Sequence, residues 1–268
     1  MRPILALICC VAVWTAVPAR AQVSALRTLS TADETRGWEA VGRIDLGKTG
    51  FCTGTLIAEN LVLTAAHCLY DKTTGRPYAP AEMTFLAGWR NGRAAAYRGV
   101  RRAVAHPDYV FGAPDGLDRV AFDLAILELD QPIRLPSIRP FQTGQDPLDG
   151  ETVSVVSYAL DRSEAPSIQQ ACGVLGRQPG VLVLSCDVDF GSSGAPVFAM
   201  RDGVPKIVSV VSAKAELDTR LVALGTQMAQ PLAELEAVVE ASSGGSSLPQ
   251  AAAASPAVTP GGAKFVKP

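Results

Sequence analysis

Leu63-Thr64-Ala65-Ala66-His67-Cys68 is the stretch that decides the reading of this chain. An apolar run ends on a histidine, and a cysteine follows at once to tie the backbone down. Downstream, Asp123-Leu124-Ala125-Ile126-Leu127 opens an apolar run on a carboxylate. Further on, Gly191-Ser192-Ser193-Gly194-Ala195-Pro196 sets serines in a glycine-rich turn. The chain has only two histidines, so one falling in the first motif is informative. A serine hydroxyl is a poor nucleophile at neutral pH and needs a positioned base, the part read here for His67. Asp123 would fix the imidazole tautomer and stabilise the imidazolium. Its apolar neighbours put that carboxylate in the interior, where an unpaired charge is costly, so it calls for a partner such as a histidine. Three such motifs in the order His, Asp, Ser are much harder to obtain by chance than any one.

The composition bounds the setting. Residues 1–21 read as an export signal: Arg2, an apolar core over 4–17, then Pro18-Ala19-Arg20-Ala21, whose small residues fit a cleavage site before Gln22. The apolar run is too short to span a bilayer. Cys9 and Cys10 lie inside it, which leaves Cys52, Cys68, Cys172 and Cys186 in the exported chain. An even number in an exported protein reads as two disulfides with three possible connectivities. Arg177-Gln178-Pro179-Gly180 has turn chemistry, and Cys172 and Cys186 are nearly equidistant from it, so they should face each other across a hairpin. No C-x-x-C pair exists and histidine is scarce, which disfavours zinc. With 24 Lys and Arg against 26 Asp and Glu, nothing calls for nucleic acid or an anionic membrane as partner. Arg98, Arg101 and Arg102 form a local basic cluster that reads as a solvated face.

Short apolar runs punctuated by Gly, Pro and Asp recur through the middle of the chain, at 41–46, 54–57, 61–65, 100–105, 123–129, 152–157, 181–188, 195–200 and 207–212. They are of strand length and rich in Val, Ile and Leu, which argues for an all-β sandwich or barrel without choosing between them. One helix stands out over 231–241, with Pro231 in its first turn and Leu232, Leu235, Val238 and Val239 on one face. Residues 242–268 are rich in Ser, Gly, Ala and Pro and read as a disordered tail, with Lys264-Phe265-Val266-Lys267 as a candidate docking peptide inside it.

Together the three motifs resemble those of the chymotrypsin/trypsin-like serine proteases, in the chain order that family uses. His106-Pro107-Asp108-Tyr109 is similar to the H-P-x-Y that often precedes the family's catalytic aspartate. The family pattern G-x-S-G-x-P is matched by Gly191, Ser193, Gly194 and Pro196, which makes Ser193 the nucleophile and Ser192 the variable position. The resemblance implies an oxyanion hole from the Gly191 and Ser193 N–H groups. It further implies a Cys52–Cys68 disulfide beside His67 and a serine supporting Asp123, matched to Ser209 with Ser212 as the alternative. For the fold it implies two antiparallel β-barrels, about 38–130 and 148–228, with the site between them and a closing C-terminal helix, in one peptidase domain over 22–241. A glycine- and serine-rich turn is the bland reading of 191–196, since residues 242–247 have the same composition. Context separates them: 191–196 lies between a cysteine-bearing strand and the apolar run 197–200. An α/β-hydrolase elbow would need glycine at 195, which is alanine.

The chain also departs from trypsin. Ser192 stands where trypsin has the aspartate that pairs with a newly cut N-terminus, and no I-V-G-G-like start precedes Gly42. It is more similar to the bacterial branch that includes glutamyl endopeptidases, and the sequence leaves open whether residues 22–38 are a propeptide. Asp187, six residues before Ser193, matches trypsin's specificity carboxylate and would favour Arg or Lys in the substrate. Val211 falls where relatives carry a glycine at the pocket mouth and would favour small side chains. Glutamate is the least expected, because relatives select it with a pocket histidine and none lies near Ser209. The expectation is a secreted or periplasmic serine endopeptidase acting on proteins or peptides, without metal or organic cofactor and without membrane association once the signal is removed. Its rivals are a catalytically silent binding protein on the same fold and an esterase-like hydrolase.

Overall fold

The chain enters through a short strand, β1 (Arg27–Thr28), and one turn of helix, α1 (Ala32–Thr35). The helix is started by a reciprocal cap: Thr31 Oγ1 accepts the Glu34 N–H at 3.2 Å, and Glu34 Oε2 accepts the Thr31 N–H at 3.0 Å. The computed structural model describes residues 23–48, 50–114, 116–217, 219–243 and 264–265. The export signal therefore lies outside the described residues.

Six strands then close on one another: β2 (Val41–Leu46), β3 (Gly50–Ala58), β4 (Leu61–Thr64), β5 (Met83–Ala87), β6 (Ala96–Ala105) and β7 (Ala125–Leu129). A short helix, α2 (Leu117–Ala121), comes just before β7. The order β2-β3-β4-β7-β6-β5 returns to β2, so every strand has two neighbours and no free edge remains. In β2 the apolar Ile44 and Leu46 turn inward while Arg43 and Asp45 stay partly exposed. All five residues of β7 are buried, because the C-terminal helix packs on it from outside the barrel. Its one charge, Glu128, is met by Arg101 and by Arg102 Nε at 3.1 Å, and Arg102 also donates to the Val239 carbonyl at 2.9 Å. Arg102 is thus mostly turned to internal partners, while Arg101 remains exposed as the solvated reading expects.

The second half repeats the plan with β8 (Thr152–Ala159), β9 (Arg162–Gln178), β10 (Val181–Leu184), β11 (Pro196–Arg201), β12 (Val204–Leu217) and β13 (Arg220–Gln227). The path β8-β9-β10-β13-β12-β11 returns to β8, with β1 added on β9. The molecule is therefore all-β with two chymotrypsin-like barrels, and the non-local β2–β5 and β8–β11 pairings choose barrel over sandwich. Aromatic rings fill the junction: Trp38 lies 5.7 Å from Phe141 and 5.2 Å from Phe198 between ring centroids. Such pairs add about 0.5–1.5 kcal/mol each beyond area burial.

Helix α3 (Ala229–Ser243) follows, with Pro231 in its first turn, where a missing N–H costs nothing. Leu232, Leu235 and Val239 are buried on its inner face. The tail differs from its expected disorder at two places. Ser242 and Ser243 belong to this helix, and Lys264–Phe265 form a strand, β14, on β12. A stretch with β-forming residues has found backbone partners on an open strand edge. Residues 244–263 and 266–268 lie outside the described residues.

Candidate active site

His67 sits in a single 3-10 turn, Ala66–Leu69, directly after β4. The disulfide Cys52–Cys68 joins this turn to β3 and closes a loop with a sequence separation of 16. Loop closure of that length stabilises by roughly 3 kcal/mol in the chain-entropy model. Asp123 lies between α2 and β7 and is 2% exposed. Its Oδ1 accepts the His67 backbone N–H at 2.8 Å, and its Oδ2 lies 2.7 Å from His67 Nδ1. A third donor comes from the other barrel: Ser212 Oγ of β12 donates to Oδ2 at 2.5 Å. Burial pushes the Asp123 carboxyl up, but the His67 charge and these three hydrogen bonds outweigh it, and its pKa lies below the usual carboxylate range. An ionised Asp123 holds the proton on Nδ1, so Nε2 carries the free lone pair.

The other histidine has a structural place. His106 is buried and stacks on Phe122, the neighbour of Asp123, at 5.1 Å. Its Nδ1 accepts the Asp108 N–H and its Nε2 meets Glu234 of α3, each at 3.2 Å. Both ring nitrogens are occupied, which leaves none for a metal. His67 lies close to Cys52 and Cys68, but both sulfurs are in a disulfide and offer no thiolate. Cys172 and Cys186 are joined across the β9–β10 hairpin.

Ser193 lies in the loop before β11, and that loop is fastened to the first barrel. The Ser193 carbonyl accepts the Thr53 N–H at 2.8 Å, and the Gly191 carbonyl accepts the Thr53 hydroxyl at 2.9 Å. Gly191 has φ +98°, and a Cβ there would stand 2.4 Å from Phe51 Cε2; Gly194 has φ +80°, and its Cβ would stand 2.1 Å from Thr64 Oγ1. Only glycine meets both demands, so the loop lies flat against Thr64 and Ala65, next to His67. Among the described residues neither the Gly191 nor the Ser193 N–H has a protein acceptor. Ser193 is half-buried, whereas Ser192 is 1% exposed and donates toward Ser157 Oγ at 3.2 Å inside the second barrel. Among the described residues Ser193 Oγ makes no hydrogen bond to His67, a contact that in free enzymes often tightens only when substrate binds.

Two expected site residues, Ser209 and Val211, stand elsewhere, and a third, Asp187, is exposed. Ser209 does not support Asp123: its hydroxyl donates to the Thr226 carbonyl at 2.8 Å, and Ser212 takes the support position. The reason is a bulge in β12 between Val211 and Ala213, which shifts the residue that faces the cleft. Asp187 does line a pocket, of about 210 Å³, but it is exposed there, donates its N–H to Gln169 Oε1 at 2.7 Å, and shares the lining with Lys214 and not with Ser193. Val211 is buried in the second barrel's core rather than at a pocket mouth. Sequence reasoning missed Lys214, whose ammonium lies in the same pocket, 3.6 Å from Asp189 Oδ1. A lysine flanked by Ala213 and Ala215 in a largely buried strand needs a charge partner, and that was the available signal.

The trypsin-like peptidase domain family matches residues 52–206, more than half of the chain, and the chain belongs to that family. It is 26% identical over 189 residues to a glutamyl endopeptidase from Bacillus licheniformis, covering 68% of this chain and 57% of that protein. The chain thus spans a little over half the length of this relative. Among solved structures, a Glu endopeptidase in complex with MPD superposes with a TM-score of 0.65 at 19% identity, covering 83% of this chain and all of that one. An inactivated protease paralogue of the scabies mite superposes with a TM-score of 0.59 at 15% identity, covering 76% and 93%. The fold is therefore shared with a protein described as inactivated, and activity has to be argued from side chains.

Proposed function

We propose that this protein is an exported serine endopeptidase that works through His67, Asp123 and Ser193. The observation that carries the reading is the buried Asp123 carboxylate, held by three donors with His67 Nδ1 among them. In this reading Ser193 Oγ attacks the carbonyl carbon of the scissile peptide bond and passes its proton to His67 Nε2. The oxygen that gains charge points at the Gly191 and Ser193 N–H groups, which no protein acceptor occupies among the described residues. His67 then gives the proton to the departing amine, leaving an acyl group on Ser193 that water removes by the reverse sequence. Asp123 keeps its charge throughout and steadies the imidazolium.

Export is part of the same proposal. The signal-like residues 1–21 and the two disulfides both point to an oxidising compartment outside the cytoplasm. The test is to treat the folded protein from Gln22 onward with a fluorophosphonate and to map the adduct. An adduct on Ser193 is expected. Folded, doubly disulfide-bonded protein that stays unlabelled would overturn the reading in favour of a binding role. A panel of matched peptide amides and esters then separates endopeptidase from esterase.

A further inference from the structure

We infer that the segment carrying Lys264–Phe265 is an intramolecular competitor for the strand edge that leads to the active site; this rests on the peptidase reading above. β11 pairs with β12 from Val204 to Val210, and β13 joins on the other side from Ser209 onward. The Val211 N–H and carbonyl are still taken, by Ala195 and Gly194. Beyond Val211, β13 continues on one side, and among the described residues the only strand on the other is β14. Ser212 begins that open stretch, and its hydroxyl holds Asp123. A row of backbone groups that starts beside a catalytic carboxylate and lacks a strand partner is a place for an extended peptide to add.

β14 already uses the outer end of that row. It runs antiparallel to β12, with Lys264 opposite Glu216 and Phe265 opposite Ala215. Its chain direction therefore points along the edge toward Ser212. At about 3.4 Å per residue, Ala215 lies roughly 10 Å from Ser212. A substrate with about three residues before the scissile bond fits in that gap, whereas a longer one must displace β14. Two residues of strand are weakly held alone, but tethering through the chain after α3 gives the segment a high local concentration. The occupant of the edge is thus this chain's own tail, and its effect is to penalise long substrates selectively.

The experiment compares the full exported chain with the double variant Lys264→Pro/Phe265→Pro, since proline cannot donate to a strand ladder. A fluorescein-labelled peptide of residues 258–267 should bind the variant about fivefold tighter than the native chain. KM for an octapeptide with five residues before the scissile bond should fall by a similar factor, while KM for an acyl-dipeptide amide stays the same. Equal peptide binding by the two proteins, or equal KM changes for long and short substrates, would overturn the proposal. Fluorophosphonate labelling runs in parallel and should be the same for both. If neither protein is labelled, the peptidase reading fails, and the peptide-binding comparison still decides whether β14 competes for the edge.

Discussion

The His67–Asp123 pair and the Asp187–Lys214 pocket are built by different means. The pair is held by a disulfide, a backbone N–H and a hydroxyl from the opposite barrel, all around a nearly inaccessible carboxylate. The pocket is rimmed by an exposed aspartate and a lysine that already has a carboxylate 3.6 Å away. One arrangement holds its carboxylate with three hydrogen bonds, on both oxygens. The other rests on an exposed carboxylate, whose partners exchange at little cost, beside a partly buried lysine. Substitution in the second can therefore proceed with little effect on the fold, whereas substitution in the first cannot.

The sharpest way to break this contrast is Asp123→Asn. It should lower kcat by roughly 10⁴-fold by favouring the wrong imidazole tautomer, as read from single-turnover acylation. Next comes Gly194→Ala, which puts a Cβ 2.1 Å from Thr64 Oγ1 at a φ of +80°. A loss of more than about 3 kcal/mol in denaturant unfolding is expected. Ser212→Ala removes a hydrogen bond to a charged group, worth about 1.5–3 kcal/mol, so kcat should drop about 10- to 100-fold. Ser209→Ala should leave kcat unchanged, and the opposite ranking of the two serines would return the support role to Ser209.

Acid titration refines the contrast. The Asp123 pKa is lowered in the folded state, so its contribution is complete above the ordinary carboxylate value of about 3.9 and is lost as pH falls through the lowered folded value. The stability gap between native protein and Asp123→Asn should therefore be widest near neutral pH and close on acidification. A gap that stayed constant down to pH 2 would mean that charge is not its source. The smallest effect is assigned to Asp187→Ser, for which the ratio of cleavage after Arg to cleavage after Ala should change less than about twofold, as expected for an exposed charge.

The same contrast explains what could be read from the sequence. His67, Asp123 and Ser193 each lie in a local motif whose chemistry demands neighbours of a set kind, so the residues announce themselves. The hairpin that joins Cys172 to Cys186 was legible for a similar reason, through its turn residues. Barrel closure was not, because the β2–β5 and β8–β11 pairings link segments whose registers no local pattern encodes. Ser209 and Ser212 could not be separated without the bulge at Val211, since one inserted residue changes which side chain faces the cleft. The exposure of Asp187 depends on Gln169, Lys214 and Leu221, which approach from β9, β12 and β13.

The N-terminal segment has a consequence for the order of events during folding. Arg27 and Thr28 pair with Ile168 and Ser167, Ser24 donates its N–H to Ala171, and Leu29 is 0% exposed beneath them. The first described residues of the chain are thus completed by partners made some 140 residues later. During synthesis or translocation this strap has nothing to bind until β9 emerges, so its docking is a late, high-contact-order step. Leaving the strap unpaired until then keeps an apolar residue and a strand edge exposed. The backbone partners of the strap therefore become available only once residues 162–178 have followed the first barrel out.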